Sequence, residues 1–195
     1  NARAHITRQP RQNPDSPPML CMLARKMLVG GRLIAVEQMG IDRVVHFVFD
    51  AYNDFGEPVR RTLILEIMGR HSNLTLVDEH GVIAECARRI TREVNRVREL
   101  LPGIEYENPP PQDKLDPECM SRNEIASVLA AAQGSMDEKR IVGRFIGVSP
   151  QSAHEMVLRA RGGDLAGAIY DFYRDVARGS FEPTLLTDTD GRPID

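Results

Sequence analysis

The sequence predicts an α+β protein, in which an antiparallel β-sandwich or barrel-like sheet is followed by a small all-α unit. Two observations support this class. Between residues 32 and 87, five short runs rich in β-branched residues are separated by breaks containing Gly, Asn or Asp. After a proline-rich stretch at 106–118, the pattern changes to short helices with capping signals. Because the connections between the β-like runs are short, neighbouring strands are expected to be antiparallel.

The start of the chain predicts a strand and then a helix. Residues 2–8 alternate weakly, as a strand would, and the chain opens without Met, so we expect a segment of a longer protein. Ser16 is a candidate N-cap with Pro17 in the first helical position. The helix continues through "MLCMLARKMLV", and its methionine-rich face is interpreted as core. Two glycines at 30–31 end it.

The five β-like runs predict the main sheet. Their apolar stretches at 44–49 and 63–67 are nearly continuous, which is typical of strands covered on both faces. A sandwich or barrel-like sheet would supply that cover. The predicted strands are 32–39, 43–52, 59–68, 73–79 and 82–87.

The second half of the chain predicts helices. The tetrapeptides "SRNE" at 121–124 and "SMDE" at 135–138 are capping boxes, and Ser149-Pro150 starts another helix. We divide the chain into a β-rich domain, a proline-rich linker, a helical domain and a tail. These cover residues 1–105, 106–118, 119–180 and 181–195.

The composition limits the classes of function. No apolar run approaches the ~18 residues needed to cross a bilayer, and the first residues lack the apolar core of a secretory signal. We therefore expect a cytoplasmic protein without a membrane anchor. Cys21, Cys86 and Cys119 form no CxxC pair and the histidines form no metal-binding pattern, so neither a metal nor a cofactor is expected.

Charge is distributed unevenly along the chain. Residues 1–103 carry 15 Lys and Arg against 12 Asp and Glu, whereas residues 104–195 carry 10 against 16. All but one of the basic residues in the first part are Arg, whose planar fork suits phosphate and carboxylate. The asymmetry suggests that the two parts have different partners.

Glu66 is the most informative single residue, since it lies within the apolar run "LILEIM". An ionised carboxylate is costly to bury unless it is paired, and Arg43 and Arg70 are the candidate partners. One interpretation is a structural salt bridge, or an exposed position, at the rim of the sheet. The other is a polar cluster where two hairpin ends meet, suited to bases or phosphates rather than catalysis. Its members would be Asp42, Arg43, Glu66, Arg70, His71 and Asn73.

Two further stretches could contact phosphate. If 88–98 is helical, Arg88, Arg92 and Arg96 share one face, either as a solvated surface or as a stripe that follows phosphates. Residues 144–160 resemble a helix-hairpin-helix motif, in which a turn at Gly147 leads into a new helix. Ser149 replaces the usual second glycine of that motif, and a simple tight helical corner is the alternative.

Several long motifs resemble the N-terminal region of the NFACT family, which includes the bacterial RqcH proteins, formerly called fibronectin-binding protein A, and eukaryotic NEMF. The motifs are "NPDSPPMLCMLARKMLVGGRL", "GIDRVVHF", "LEIMGRHSNLTLVDE" and "RELLPGIEYENPPPQDKLDP". The resemblance implies an N-terminal β-sandwich similar to that of formamidopyrimidine-DNA glycosylase, followed by a helix-hairpin-helix domain. It also implies that the first strands of the sandwich lie upstream, so that an exposed strand edge could promote self-association.

The resemblance further implies a role in bacterial ribosome-associated quality control. Family members bind a large ribosomal subunit carrying peptidyl-tRNA, recruit alanyl-tRNA and support template-free alanine tailing. Peptide transfer would remain ribosomal chemistry, so the segment is not expected to be an enzyme. The family motif for tRNA handling corresponds here to Asp42, Arg43, Glu66, Ile67, Met68, Gly69 and Arg70, and we add His71 and Asn73 as neighbours.

Two other functions remain open. A DNA glycosylase would need an N-terminal Pro-Glu pair and normally a zinc finger, whereas this chain begins with Asn1 and has no cysteine cluster. A surface adhesin that binds fibronectin is suggested by the former family name. The unpaired cysteines and the missing secretory signal argue against it.

Overall fold

The structure is a computed structural model that describes residues 3–9, 12–132, 137–160, 163–185 and 187–193. The chain divides into two compact units, Asn1–Pro111 and Gln112–Asp195. The first unit contains an antiparallel sheet and the second contains helices, which confirms the α+β class.

The first unit is built around one five-stranded meander. Helix α1 (Met19–Leu28) precedes the strands, each strand pairs with the next along the chain, and a short 3₁₀ turn (Gly69–His71) lies between the third and fourth strands. All five predicted strands are present. They are β1 (Arg32–Gln38), β2 (Val44–Tyr52), β3 (Pro58–Glu66), β4 (Asn73–Val77) and β5 (Ile83–Cys86).

The two faces of this sheet are covered by different parts of the chain. One face carries Val44, Ile64 and Val77, which pack against Met68 and Tyr106. Side chains alternate along a strand, so Arg61 lies on the opposite face, where it donates a 2.8 Å hydrogen bond to the carbonyl of Met27 in α1. The described strands therefore form one sheet, and they include no second sheet of the predicted sandwich. A helix on one face and the segment after β5 on the other provide the cover.

The N-terminal predictions need two corrections. Residues 3–9 form no strand, and α1 begins at Met19 with Pro18 as its N-cap residue and without a side-chain cap. The reason is the double proline: because Pro17 precedes another proline, it is driven out of the helical region and cannot be the first helical residue after Ser16. The helix begins after Pro18, whose ψ of 159° is extended.

The arginine-rich stretch 88–98 is not a helix. It consists of turns between Ile90 and Leu100, which exchange backbone hydrogen bonds of 2.9 and 2.8 Å as an isolated antiparallel bridge. Leu100 is fully buried beside Ile83 and Cys86. That tertiary packing reverses the chain and overrides helix propensity, so the predicted common helical face of Arg88, Arg92 and Arg96 does not form.

The second unit is helical around a small core. It contains a 3₁₀ turn (Pro117–Cys119) followed by α2 (Arg122–Ala131), α3 (Glu138–Arg144), α4 (Pro150–Arg159) and α5 (Leu165–Ala177). Its fully buried core includes the side chains of Ile125, Ile141, Phe145, Met156 and Ile169.

The helix starts in this unit follow its capping residues. Ser121 and Glu124 form a complete capping box, and the hydrogen bond from the Ser121 backbone lowers the pKa of Glu124. Ser149 caps α4 as predicted. Helix α3 is capped by Asp137, while Ser135 of the second predicted box lies outside the described residues.

Two features are absent from the described residues. None of their helices is long and apolar enough to cross a membrane. No group of three or more His, Cys, Asp or Glu within the same ranges could hold a metal ion.

Glu85 should make the stability of the first unit sensitive to acid. This buried carboxylate accepts a 2.9 Å bond from Arg89, which holds the pKa of Glu85 below its ordinary value of 4.5 although burial opposes the shift. The stability that ionised Glu85 contributes is present above its ordinary pKa of 4.5 and is lost as the pH falls through its lower pKa in the folded state. The melting temperature of the parent should decline between about pH 5 and pH 3, and we expect Glu85→Gln to make this decline less steep. Circular dichroism measures the melting temperature at each pH. Glu105→Gln, at an exposed site, should leave the slope of the parent, and an unchanged slope in Glu85→Gln would contradict the assignment.

Candidate functional site

One end of the sheet brings together the β1–β2 turn and the β3–β4 connection. The carbonyl of Arg43 accepts a 2.8 Å hydrogen bond from the amide of Ile67, just beyond the paired residues Val44 and Glu66. The two hairpin ends expected from the sequence therefore meet. Asp42, Arg43 and the residues from 67 to 71 lie at the same end.

The β1–β2 turn is held by its own hydrogen bonds. The amide of Asp42 donates to the carbonyl of Met39 at 3.1 Å, and the Gln38 side chain donates to the carbonyl of Asp42 at 3.0 Å. Asp42 is half-buried, whereas Arg43 is exposed. A braced backbone thus presents the Arg43 guanidinium group to solvent.

The β3–β4 connection is equally well defined. Gly69 has a φ of +57°, a backbone conformation that residues other than glycine rarely adopt. Ser72 fixes the turn, since its hydroxyl donates to the Gly69 carbonyl at 2.7 Å and accepts from the Met68 amide at 3.0 Å. Arg70 and His71 are exposed at its tip, and the Arg70 Nε donates to the His71 ring at 3.0 Å.

Arg88 joins this end of the sheet from the segment after β5. Its guanidinium group donates to the carbonyl of Arg70 at 2.7 Å. Its backbone is held by Asn73, whose side-chain amide donates to the Arg88 carbonyl at 2.8 Å and accepts from the Arg88 amide at 2.9 Å. Asn73 is buried and fully engaged, so its role is structural and not that of a surface contact.

Glu66 belongs to the interior, and its predicted partners are wrong. Only 1% of this residue is exposed, and its carboxylate pairs with the guanidinium group of Arg98 and accepts a 2.9 Å bond from the Tyr106 hydroxyl. Arg43 and Arg70 are not its partners. The structural interpretation, a salt bridge close to the sheet rim, is the one observed.

Glu66 contributes to the pKa shifts of both of its partners, Arg98 and Tyr106. Burial lowers the pKa of Arg98, but the hydrogen bond that Arg98 donates to Glu66, the Glu66 charge and the contact with Tyr106 together outweigh burial, and the net shift is upward. Burial, and then the Glu66 charge, raise the pKa of Tyr106, which keeps its hydroxyl a donor. Neither residue was singled out from the sequence, because they lie 32 and 40 positions from Glu66 and no local pattern links them.

The other predicted phosphate contacts are dispersed. Arg92 pairs with Glu99 at 3.3 Å, and Arg96 is exposed. In the second unit, Gly147 has a φ of +75° in the turn between α3 and α4. The Ser149 hydroxyl accepts from the Ser152 amide at 3.0 Å and so caps its own helix.

We call the exposed group at the end of the sheet the basic edge, formed by Arg43, Arg70, His71 and Arg88. It contains three guanidinium groups on braced backbone, with Asp42 beside them. The buried acid at the end of β3, Glu66, is already neutralised by Arg98. Such an edge can donate several charge-assisted hydrogen bonds to an anionic polymer.

Comparison with known proteins relates the chain to one family. Residues 1–194 match the family described as NFACT N-terminal and middle domains. The chain is 40% identical over 190 residues to the Rqc2 homolog RqcH of Bacillus subtilis, which covers 95% of this chain and 33% of that protein. The corresponding protein of Streptococcus pneumoniae is 29% identical over 198 residues, covering 98% of this chain and 35% of that protein.

Solved structures give a similar result. The fibrinogen binding protein from Staphylococcus aureus matches with a TM-score of 0.73 and 31% identity, covering 91% of this chain and 65% of that chain. The N-terminal part of the fibronectin/fibrinogen-binding protein from Streptococcus suis matches with a TM-score of 0.72 and 28% identity, covering 94% and 66%. The chain spans about a third of the length of the two RqcH relatives.

Proposed function

Because this chain belongs to the NFACT N-terminal and middle-domain family, we propose that it is the tRNA- and ribosome-binding region of a ribosome-associated quality control factor. In this role the protein would recruit alanyl-tRNA to a large subunit that still carries peptidyl-tRNA. The outcome would be template-free alanine tailing. Peptide transfer would be carried out by the ribosome, so the segment would act by binding and not as an enzyme.

The basic edge is the observation that supports this proposal. Phosphates of folded RNA repeat along a backbone, and an arginine on a braced turn reaches them with less loss of conformational freedom than one on a flexible loop. Arg43 and Arg70 lie on connections joined by the Ile67–Arg43 backbone bond, and Arg88 is joined to them through the Arg70 carbonyl. Their common location suits a surface that grips one stretch of RNA backbone.

The second unit would add a smaller contact. We assign the turn between α3 and α4 a helix-hairpin-helix role, in which Gly147 permits the tight turn and the start of α4 approaches a phosphate. Because Ser149 already caps its helix, fewer backbone donors are open there than in a glycine-rich turn. The basic edge therefore carries most of the proposed affinity.

Replacing both exposed arginines of the two connections should weaken binding to RNA. For Arg43→Ala/Arg70→Ala we expect the Kd for unfractionated tRNA, measured by fluorescence anisotropy, to rise about ten- to a hundredfold. The slope of log K against log salt should become shallower by roughly 1.5, since about two phosphate contacts are lost. The melting temperature should stay near that of the parent, because neither side chain is buried.

The matched control is Arg32→Ala/Arg60→Ala, which removes two exposed arginines at the opposite end of the same sheet. It lowers the net charge equally and should change the tRNA affinity only slightly. Equal loss in both double variants would mean that tRNA responds only to total charge. The parent affinity in Arg43→Ala/Arg70→Ala would show that the basic edge is not the binding site.

Adhesion to a host matrix protein is the second candidate, favoured by the names of the two structural neighbours. The same preparation can be tested on immobilised fibronectin and fibrinogen. Saturable binding to either, together with no affinity for tRNA, would replace the RNA proposal. Duplex DNA containing an abasic site provides the comparison for a glycosylase-like protein.

A further inference from the structure

The basic edge is connected directly to a buried ion pair. Glu66 is the last residue of β3, and the next residue, Ile67, donates the backbone bond to Arg43. The side chain of Glu66 points into the unit, where Arg98 and Tyr106 hold its two oxygens. A shift of Glu66 would therefore move both connections that carry the exposed arginines.

We propose that Arg98 and Tyr106 are positioning residues for RNA binding, an inference that rests on the tRNA-binding role proposed above. By holding the Glu66 carboxylate, they fix the end of β3 and, through Ile67, the relative placement of Arg43 and Arg70. They act on the ligand only through the basic edge.

Direct contact between these two residues and RNA is excluded by their burial and bonding. The Arg98 side chain is 9% exposed. One of its terminal nitrogens is bonded to Glu66, and the other donates to the carbonyl of Glu107 at 2.6 Å. The Tyr106 hydroxyl is engaged by Glu66, and its ring packs against Val44, Ile64 and Val77. Little of the Arg98 side chain is therefore exposed to a phosphate, and the Tyr106 hydroxyl is used within the protein.

The chemistry of Glu66 makes the placement sensitive to its partners. A carboxylate that loses its cation in a buried site must take up a proton or turn towards water. Turning outward would pull the end of β3 away from its pairing with Val44 and Asn73. The Ile67–Arg43 bond lies one residue further on, so it is the first contact to be lost.

The test compares tRNA affinity and its salt dependence in three variants. We expect Arg98→Met to raise the Kd for unfractionated tRNA about tenfold, which corresponds to the loss of one charge-assisted contact. Its slope of log K against log salt should be shallower by roughly 0.8, because a displaced arginine no longer neutralises a phosphate. Arg98→Lys retains the charge beside Glu66 and should restore most of the affinity. Tyr106→Phe removes one hydroxyl and should give a smaller change in the same direction.

The salt slope separates positioning from general loss of structure. A variant that is merely less stable contains fewer active molecules, but those that remain bind with the slope of the parent. Arg61→Met is the matched control, since Arg61 is also buried in the same unit and is bonded both to a carboxylate, Glu79, and to a backbone carbonyl. Its side chain is 8% exposed, close to the value for Arg98, and it lies away from the basic edge. The Arg61→Met variant should be less stable than the parent but should keep the parent slope of log K against log salt.

Each outcome decides a different question. If the parent does not bind tRNA, the proposed function and the positioning role both fail. If the parent binds and Arg43→Ala/Arg70→Ala does not, but Arg98→Met and Tyr106→Phe keep the parent affinity and slope, only the positioning role is wrong. Equal changes in Arg98→Met and Arg61→Met would also overturn it. Should Arg98→Met fail to fold, Tyr106→Phe and Arg98→Lys decide on the same two measurements.

Discussion

Arg98→Met is expected to lower the free energy of unfolding of the first unit by about 3–5 kcal/mol, because it leaves the carboxylate of Glu66 buried without its cation. Few single replacements in this unit should cost as much, since most domains have only about 5–15 kcal/mol of stability. The measurement is urea denaturation followed by circular dichroism, with the midpoint and slope both recorded.

The same cluster should tolerate the loss of all its polar members. When an entire buried ionic group is replaced by apolar residues of similar volume, stability is often kept or increased. Glu66→Leu/Arg98→Met/Tyr106→Phe should therefore recover most of the loss in Arg98→Met. A triple variant as unstable as Arg98→Met would show that the cost arises from packing and not from the unpaired charge.

Phe145→Ala should have an effect of similar size in the second unit. Phe145 follows α3 and is the largest fully buried side chain of that small core. Its truncation removes apolar burial and leaves a cavity, which together cost about 3–5 kcal/mol. Hydrogen exchange read by mass spectrometry should show faster exchange in peptides from 137–160 and 163–185.

The control in that unit is Phe181→Ala, because the Phe181 residue is 70% exposed. It removes the same atoms from a site where they bury little surface. We expect its exchange to match that of the parent within the same peptides. A protected core in Phe145→Ala, or an equal loss of protection in both variants, would contradict the assignment of Phe145 to the core.

The sheet was predictable because its signals are local. Each strand is a β-branched run ended by turn residues, and each pairs with its neighbour along the chain. The meeting of the β1–β2 turn with the β3–β4 connection follows from that order, since alternate turns of a meander lie at the same end. Arg43 and Arg70 could thus be brought together from the sequence alone.

What could not be predicted depends on contacts between distant residues. The stretch 88–98 has the composition of a helix, but burial of Leu100 and its bridge to Ile90 reverse the chain instead. For the same reason the partner of Glu66 could not be identified. An apolar run containing a glutamate shows that a cation is needed, but not which of the arginines supplies it.

The order of the strands has a consequence for how the protein is made. In a meander every pairing joins consecutive strands, so each strand can pair with the one before it as the chain emerges during synthesis. Little entropy is lost in closing the short loops between them. Glu66 must wait for partners that arrive 32 and 40 residues later. The scaffold can thus form early, whereas a nascent chain that stops short of Tyr106 would have the sheet without the complete buried cluster around Glu66. Under the positioning role proposed above, the basic edge would be aligned only after that residue has been added.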